Sequence, residues 1–182
     1  TQAESSAASD VYKRQFNMLS NDEVSKIFES AMKDPTLLST IDIDSLLSSI
    51  EDSKNDYLEN KTTELINKDI FDSVNAFPIS IETKELYCDK LIGYRLVLEL
   101  NELHKGKHIR WIRKNNSKLT NGGIIVDIKF LDEGVHILCM GNGKRFVQIK
   151  FDDCVIYQKM SEAEQLIVMA SVSYTHLRAH ET

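Results

Sequence analysis

Apolar residues recur every third or fourth position up to about Leu100, and every second position from Gly106 onward. That change of period divides the chain into a helical part and a strand part, because a helix repeats its inward face every 3.6 residues and a strand every two. In the strand part Ile109 and Trp111 share a face, and Ile124, Val126, Ile128 and Phe130 share the next. Val135 to Met140 forms a third strand, Val147, Ile149 and Phe151 alternate along a fourth, and Cys154 to Tyr157 is a short fifth. Turn residues separate them. Asp132-Glu133-Gly134 and Asp152-Asp153 mark tight steps, and Asn142-Gly143 predicts a two-residue hairpin because both tolerate positive φ. Five short strands at this spacing predict a small antiparallel β-barrel or curled sheet. Ser161 and Glu164 then form a capping box, and Leu166 to Met169 supply a helical face that closes one end.

The helical part begins with a second capping box, Ser20 to Glu23. Val24, Ile27, Phe28 and Ala31 follow at helical spacing, which predicts a helix over 21–33. Asp34-Pro35 ends it and can start a short helix over 35–40. From Asp42 or Asp44, apolar residues run from Leu46 to Phe77 mostly three or four apart. This predicts one long helix, or two with a break near Ser53 to Asn55. Lys54 and Lys61 interrupt the seam, so packing within the molecule is favoured over a sustained coiled coil. Pro78 marks a boundary, Thr83 to Leu91 fits a helix, and Tyr94 to Leu100 fits helix or strand. The predicted class is α+β. An acidic helical region (16–77) and a connecting helix or strand (78–103) precede a five-stranded β-barrel with a closing helix (104–170).

The two ends stand apart from this pattern. SSAASDVYKRQ (Ser5 to Gln15) and VSYTHLRAHET (Val172 to Thr182) resemble translated sequencing-adapter DNA. The codons GAT GTG TAT AAG AGA CAG encode DVYKRQ, and their reverse complement reads VSYTH in a shifted frame. Residues 1–15 and 171–182 are therefore expected to be adapter-derived, disordered tails.

Charge sharpens the division. The chain of 182 residues has a formal net charge of −6. Phe16 to Ile92 holds seven Lys and no Arg against sixteen Asp and Glu, a net −9. Gly93 to Ala170 holds twelve Lys and Arg against nine acids, a net +3. A globally basic nucleic-acid binder is excluded, and any polyanion contact belongs to the second half. The three cysteines, Cys88, Cys139 and Cys154, are not closely spaced. They make no disulfide framework, which points to a reducing, cytoplasmic setting. No apolar run approaches the ~18 residues needed to span a bilayer, so no membrane contact is expected.

The candidate site is the basic opening of the strand part. Lys105, Lys107, Arg110, Arg113, Lys114 and Lys118 surround Trp111, and Lys144 and Arg145 follow the hairpin turn and are expected to join the same face. Clustered cations neutralise phosphates, and an exposed aromatic stacks on a base. The plainer reading is a solvated strand edge, where Lys also blocks edge-to-edge pairing. Trp111 alternates with the basic residues, so it points inward with Ile109. Other candidates are weaker. Gly141 to Lys144 lacks phosphate-loop spacing and reads as a turn, and Gly122-Gly123 reads as a strand entry or bulge. His104 and His108 have no Cys or carboxylate beside them, so no metal site and no cofactor are expected. Cys139 and Cys154 read as small buried apolar groups, and Cys88 would be a nucleophile only beside a histidine. Asp152-Asp153 reads as a turn rather than a catalytic pair. No Ser/His/Asp arrangement is present, and no catalytic residue is assigned.

Two resemblances cover the second half. KGKHIRWI, LTNGGIIVDIKF and KFDDCVIY are similar to Tudor-like and KOW-like small barrels. LHKGKHIRWI, LTNGG and IYQKMSEAEQLI resemble uncharacterised proteins of nucleocytoplasmic large DNA viruses over roughly residues 103–168. The second resemblance implies a host-cytoplasm or virion setting and brings no activity with it. A Tudor aromatic cage needs several exposed aromatics, whereas Trp111, Phe130, Phe146, Phe151 and Tyr157 mostly fall on predicted core faces; that pattern argues against methyl-lysine reading. The expected function is a non-enzymatic binding or scaffold module for nucleic acid or an acidic protein surface, its oligomeric state left open. The alternatives are a structural virion or assembly protein that oligomerises through its helices, and an unrecognised enzyme.

Overall fold

The computed structural model describes residues 57–58 and 61–169. The helices expected over 21–33 and 35–40, the long helix before Tyr57 and both terminal tails lie outside the described residues. The chain divides into two compact units. One is Asp69 to Lys159. The other comprises the chain up to Lys68 and from Met160 onward.

The Asp69–Lys159 unit is built on one antiparallel sheet. Its strands are β1 (Tyr94–Val97), β2 (His108–Arg113), β3 (Gly123–Leu131), β4 (Gly134–Met140), β5 (Phe146–Lys150) and β6 (Cys154–Lys159). They lie in the order β1-β6-β2-β3-β4-β5. The sheet is open and six-stranded, not the five-stranded barrel that the strand spacing predicts. The additional strand comes from the segment that fits helix or strand equally. It pairs with β6 from Tyr94↔Lys159 to Val97↔Ile156. With β2 on its other side from Ile109↔Gln158 to Arg113↔Cys154, β6 has both edges occupied. No ladder position remains there for β5, so β1 and β5 are the two edges and the sheet does not close.

One sheet face carries the core. Ile109 and Trp111 of β2, Ile125 of β3, Ile137 and Cys139 of β4, Ile149 of β5, and Cys154 and Ile156 of β6 are all buried in one cluster with Val97 and Leu103. Trp111 points inward, as its alternation with the basic residues predicts. The pattern on β3 differs from the expectation. A bulge between Ile125 and Asp127 inserts Val126 as an extra residue. Ile125 and Ile128 therefore face the core, opposite Cys139 and Ile137, while Ile124 and Val126 are exposed. An extra residue reverses the facing of everything beyond it, which strict alternation cannot anticipate. The β4–β5 turn also differs. It is a three-residue turn, Asn142–Lys144, with positive φ at Gly143 and Lys144, closed by Gly141 N donating to the Arg145 carbonyl at 2.8 Å.

Helices cover part of the opposite face. α1 (Thr63–Asn75) crosses the boundary between the units, and α2 is Ile81–Lys90. Ile70, Phe71 and Val74 recur on one side of α1 and are buried. Ser80 caps α2, its hydroxyl accepting from Thr83 N at 3.2 Å. Tyr157 of β6 is fully buried on this face. Its hydroxyl lies 2.8 Å from Ser73 Oγ, which itself donates to the Ile70 carbonyl at 2.7 Å. Ser73 has one proton and spends it on Ile70, so Tyr157 is the donor to Ser73. α2 is held to the β2–β3 loop by Tyr87, whose hydroxyl donates to the Ser117 carbonyl at 3.1 Å.

In the other unit, the predicted capping box at Ser161 is present. Glu164 N donates to Ser161 Oγ at 3.2 Å, and Ser161 N donates to Glu164 Oε2 at 2.6 Å. It opens a helix over 162–169. The Tyr57 hydroxyl donates to the second Glu164 oxygen, which satisfies a carboxylate that is otherwise buried.

Gly122 governs the entry to β3. Its φ is +82°, and a Cβ placed there would lie 1.9 Å from the Ile109 carbonyl oxygen and 2.9 Å from His108 Cε1. A non-glycine residue in this conformation costs ~1–3 kcal/mol before any clash is counted. Gly122→Ala is expected to lower stability by at least that amount in urea denaturation. An unchanged midpoint would show that this close approach is not required.

Candidate nucleic-acid interface

The sheet register builds a transverse row on the face opposite the core. Tyr94 pairs with Lys159, His108 with Ile124, Ile124 with Met140, and Met140 with Phe146. One step beyond the Ile109↔Gln158 pair sets Lys159 beside His108. Directly opposed residues in an antiparallel sheet share a face. The row therefore reads Tyr94, Lys159, His108, Ile124, Met140, Phe146 across all six strands. Its first half is aromatic and basic, and its second half is apolar.

Around the first half lies an open hollow of about 550 Å³. Arg110, Lys159, His108, Tyr94, Asn121 and Asn142 line it, with Gly106 and Ile124, and no carboxylate of the described residues contributes. Arg110 stands over the Tyr94 ring, its guanidinium carbon 5.7 Å from the ring centroid. The Tyr94 hydroxyl lies 3.0 Å from His108 Nδ1, and the two rings meet edge to face. Burial holds the His108 imidazole below its ordinary value, and the positive charges of Arg110 and Lys159 lower it further. Neither cation has an ion-pair partner among the described residues, and Arg110 Nε is buried without a hydrogen-bond partner among them. Such convergence of like charge is unfavourable until an anion arrives.

The eight basic residues expected to form one cluster separate in the structure. Arg110 lies in the hollow. Lys144 and Arg145 are exposed on the β4–β5 turn, which contributes Asn142 to the same hollow. Lys107 is half-buried just before β2. Lys105 is bound to Asp127 at 2.9 Å, and its hydrogen bond holds that carboxyl below the usual range. Lys118 is exposed in the β2–β3 loop. Arg113 and Lys114 sit at the far end of β2, where Lys114 Nζ donates to the Asp152 carbonyl at 2.7 Å. Arg110 and Lys114 are four residues apart, about 13 Å along an extended strand, and Lys114 is directed to the Asp152 carbonyl rather than to the hollow. Lys159, Tyr94 and Phe146 also lie along the transverse row, and no local sequence pattern marks them. The first two come from strands outside the basic opening, and Phe146 is one of five aromatics of which most, not all, fall on predicted core faces.

Arg113 and Lys114 border a second cleft of about 710 Å³, with Lys150, His136, Glu133 and Asp153. Both signs of charge line it, so its cations are partly offset within the cleft. The cysteines are buried. Burial pushes the Cys88 thiol up to about 12, with Asp89 and Glu85 adding to the effect, and burial pushes Cys139 up to about 12 as well. At neutral pH both are protonated and neutral. Asp152 and Asp153 form a single-turn 3₁₀ helix, Phe151–Asp153, as a turn requires. Among the described residues, no group of three or more His, Cys, Asp or Glu could hold a metal ion, and no helix is long and apolar enough to cross a membrane. No protein-family model, no curated protein and no solved structure matches this chain.

The His108 environment has a measurable consequence. An unfolded histidine takes up its proton near pH 6.5, whereas His108 in the folded protein resists to lower pH. The unfolded state then binds more protons in that window. Stability present above pH 6.5 is lost as the pH falls through that value toward the lower, folded one. Replacing His108 with Asn is expected to flatten this part of the profile, read as urea midpoints from about pH 8 to about pH 5. Identical slopes for the two proteins would contradict the assignment.

Proposed function

We propose that the Asp69–Lys159 unit is a non-enzymatic binding module for nucleic acid, contacting the phosphate backbone in the hollow beside β1, β6 and β2. The observation that carries this reading is the hollow itself. Two cations without ion-pair partners among the described residues, a histidine and two carboxamides converge there with no carboxylate among them. Arg110 and Lys159 supply charge, and Asn121 and Asn142 can donate to phosphate oxygens. Tyr94 supports Arg110 from beneath by cation–π contact, which limits the freedom Arg110 loses on binding. The resemblance to proteins of large DNA viruses would place such a module in a host cytoplasm or a virion.

The footprint is small, and that sets its signature. A site neutralising about two phosphates of a single strand, one for each cation, loses about sevenfold in affinity between 50 and 200 mM salt. Binding of the full chain to labelled RNA and DNA, followed by anisotropy through a salt series, tests this. Lys159→Ala and Arg110→Ala are each expected to weaken binding and to reduce the salt slope by about 0.7. Lys118→Ala, outside the hollow, is expected to change neither. Absence of binding at low salt, or equal loss from all three variants, would overturn the proposal.

A further inference from the structure

We infer that the ligand is a single strand laid across the sheet, with its phosphates in the hollow and its bases on Ile124, Met140 and Phe146. This rests on the phosphate reading above and adds what the second half of the row is for. Phe146 is 62% exposed and Ile124 40%, with Met140 half-buried between them in direct cross-strand register. Three apolar side chains on neighbouring strands make a flat strip about 10 Å long. The strip begins at Ile124, which pairs with His108 and also lines the cationic hollow. A nucleotide has the same two parts, a charged phosphate and a flat apolar base.

The geometry selects the strand number. In a duplex the base faces are stacked on one another and only edges and phosphates are accessible. A single strand can turn its bases outward and lay them on a protein surface. The strip offers faces to stack on and no groove-sized projection. β4 carries Leu138 and His136 beyond Met140 on this face, and β5 carries Gln148 and Lys150 beyond Phe146. Leu138 and the exposed Val126 broaden the apolar strip at its middle, and Gln148 confines it to Phe146 at its β5 end. Lys144 and Arg145 immediately precede Phe146 on the turn, so cations flank the strip at its far end as well. A strand entering from the hollow meets positive charge at both ends and an apolar platform between.

The experiment uses the full chain, a labelled unstructured oligouridine and a labelled RNA duplex at one low salt concentration. The native protein is expected to bind the oligouridine at least tenfold more tightly than the duplex. Phe146→Ala is expected to weaken oligouridine binding about tenfold or more, leave the salt slope unchanged and leave duplex binding unchanged, while Phe146→Trp retains the affinity. Phe146 is exposed, so far-ultraviolet circular dichroism of the variant is expected to match the native protein. If Phe146→Ala binds oligouridine like the native protein while Lys159→Ala does not, the base platform is overturned and the phosphate site stands. Equal or tighter duplex binding also overturns the platform. If neither ligand binds the native protein at low salt, both readings fall.

Discussion

β6 lies between β1 and β2 with hydrogen-bonding partners along both edges, and the rest of the sheet unit depends on that placement. A strand paired on both sides has its backbone polar groups satisfied away from water, so both of its faces can be buried. Ile156 and Cys154 enter the core on one face, and Tyr157 enters the helical layer on the other, where Ser73 accepts its hydroxyl proton. Removing an isoleucine side chain from such a position generally costs about 2–5 kcal/mol, a large share of the 5–15 kcal/mol that holds a domain folded. The same placement leaves the sheet open. Closing the five strands β2 to β6 would require β5 to pair with β6, and β1 occupies that edge instead.

The candidate site is a consequence of this arrangement. The last residue of β6, Lys159, lies beside the first residue of β2, His108, and pairs with the first residue of β1, Tyr94. Arg110 follows one pleat further on the same face and rests on the Tyr94 ring. Each of these groups is unremarkable alone. Brought together with no carboxylate of the described lining residues beside them, they add to the burial that disfavours the imidazolium and leave both cations without an ion-pair partner among the described residues. The cleft at the opposite end of β2 shows the contrast. There Glu133 and Asp153 offset Arg113 and Lys114, and the larger volume carries less net charge.

The apolar half of the row arises from local irregularity rather than from alternation. The bulge at Val126 turns Ile125 and Ile128 inward and leaves Ile124 on the outer face. The longer β4–β5 turn sets Phe146 opposite Met140 and outside the core. Phe130 is likewise exposed, at 76%, near the β3–β4 turn. Of the five aromatic residues that mostly fall on predicted core faces, Trp111 and Tyr157 are buried, Phe151 is partly so, and Phe130 and Phe146 are on the surface. A hydrophobicity pattern records that a residue is apolar. It does not record whether the sheet curls far enough to cover it.

The sequence by itself determined the local features: the strand period after Gly106, the inward face of β2, the turns at Asp132 and Asp152, the helix over Thr83 to Leu91 and the capping box at Ser161. These follow from dihedral preference and spacing between residues a few positions apart, which are contained in the chain itself. The tertiary structure alone decided that Tyr94 to Val97 is a strand, that the sheet stays open, and that Arg110 faces Lys159 rather than joining Arg113 and Lys114. Those outcomes depend on which edges pair. Edge pairing joins residues as distant as Tyr94 and Lys159, and their partnership is set by competition among strands for unpaired backbone rather than by any pattern within one of them.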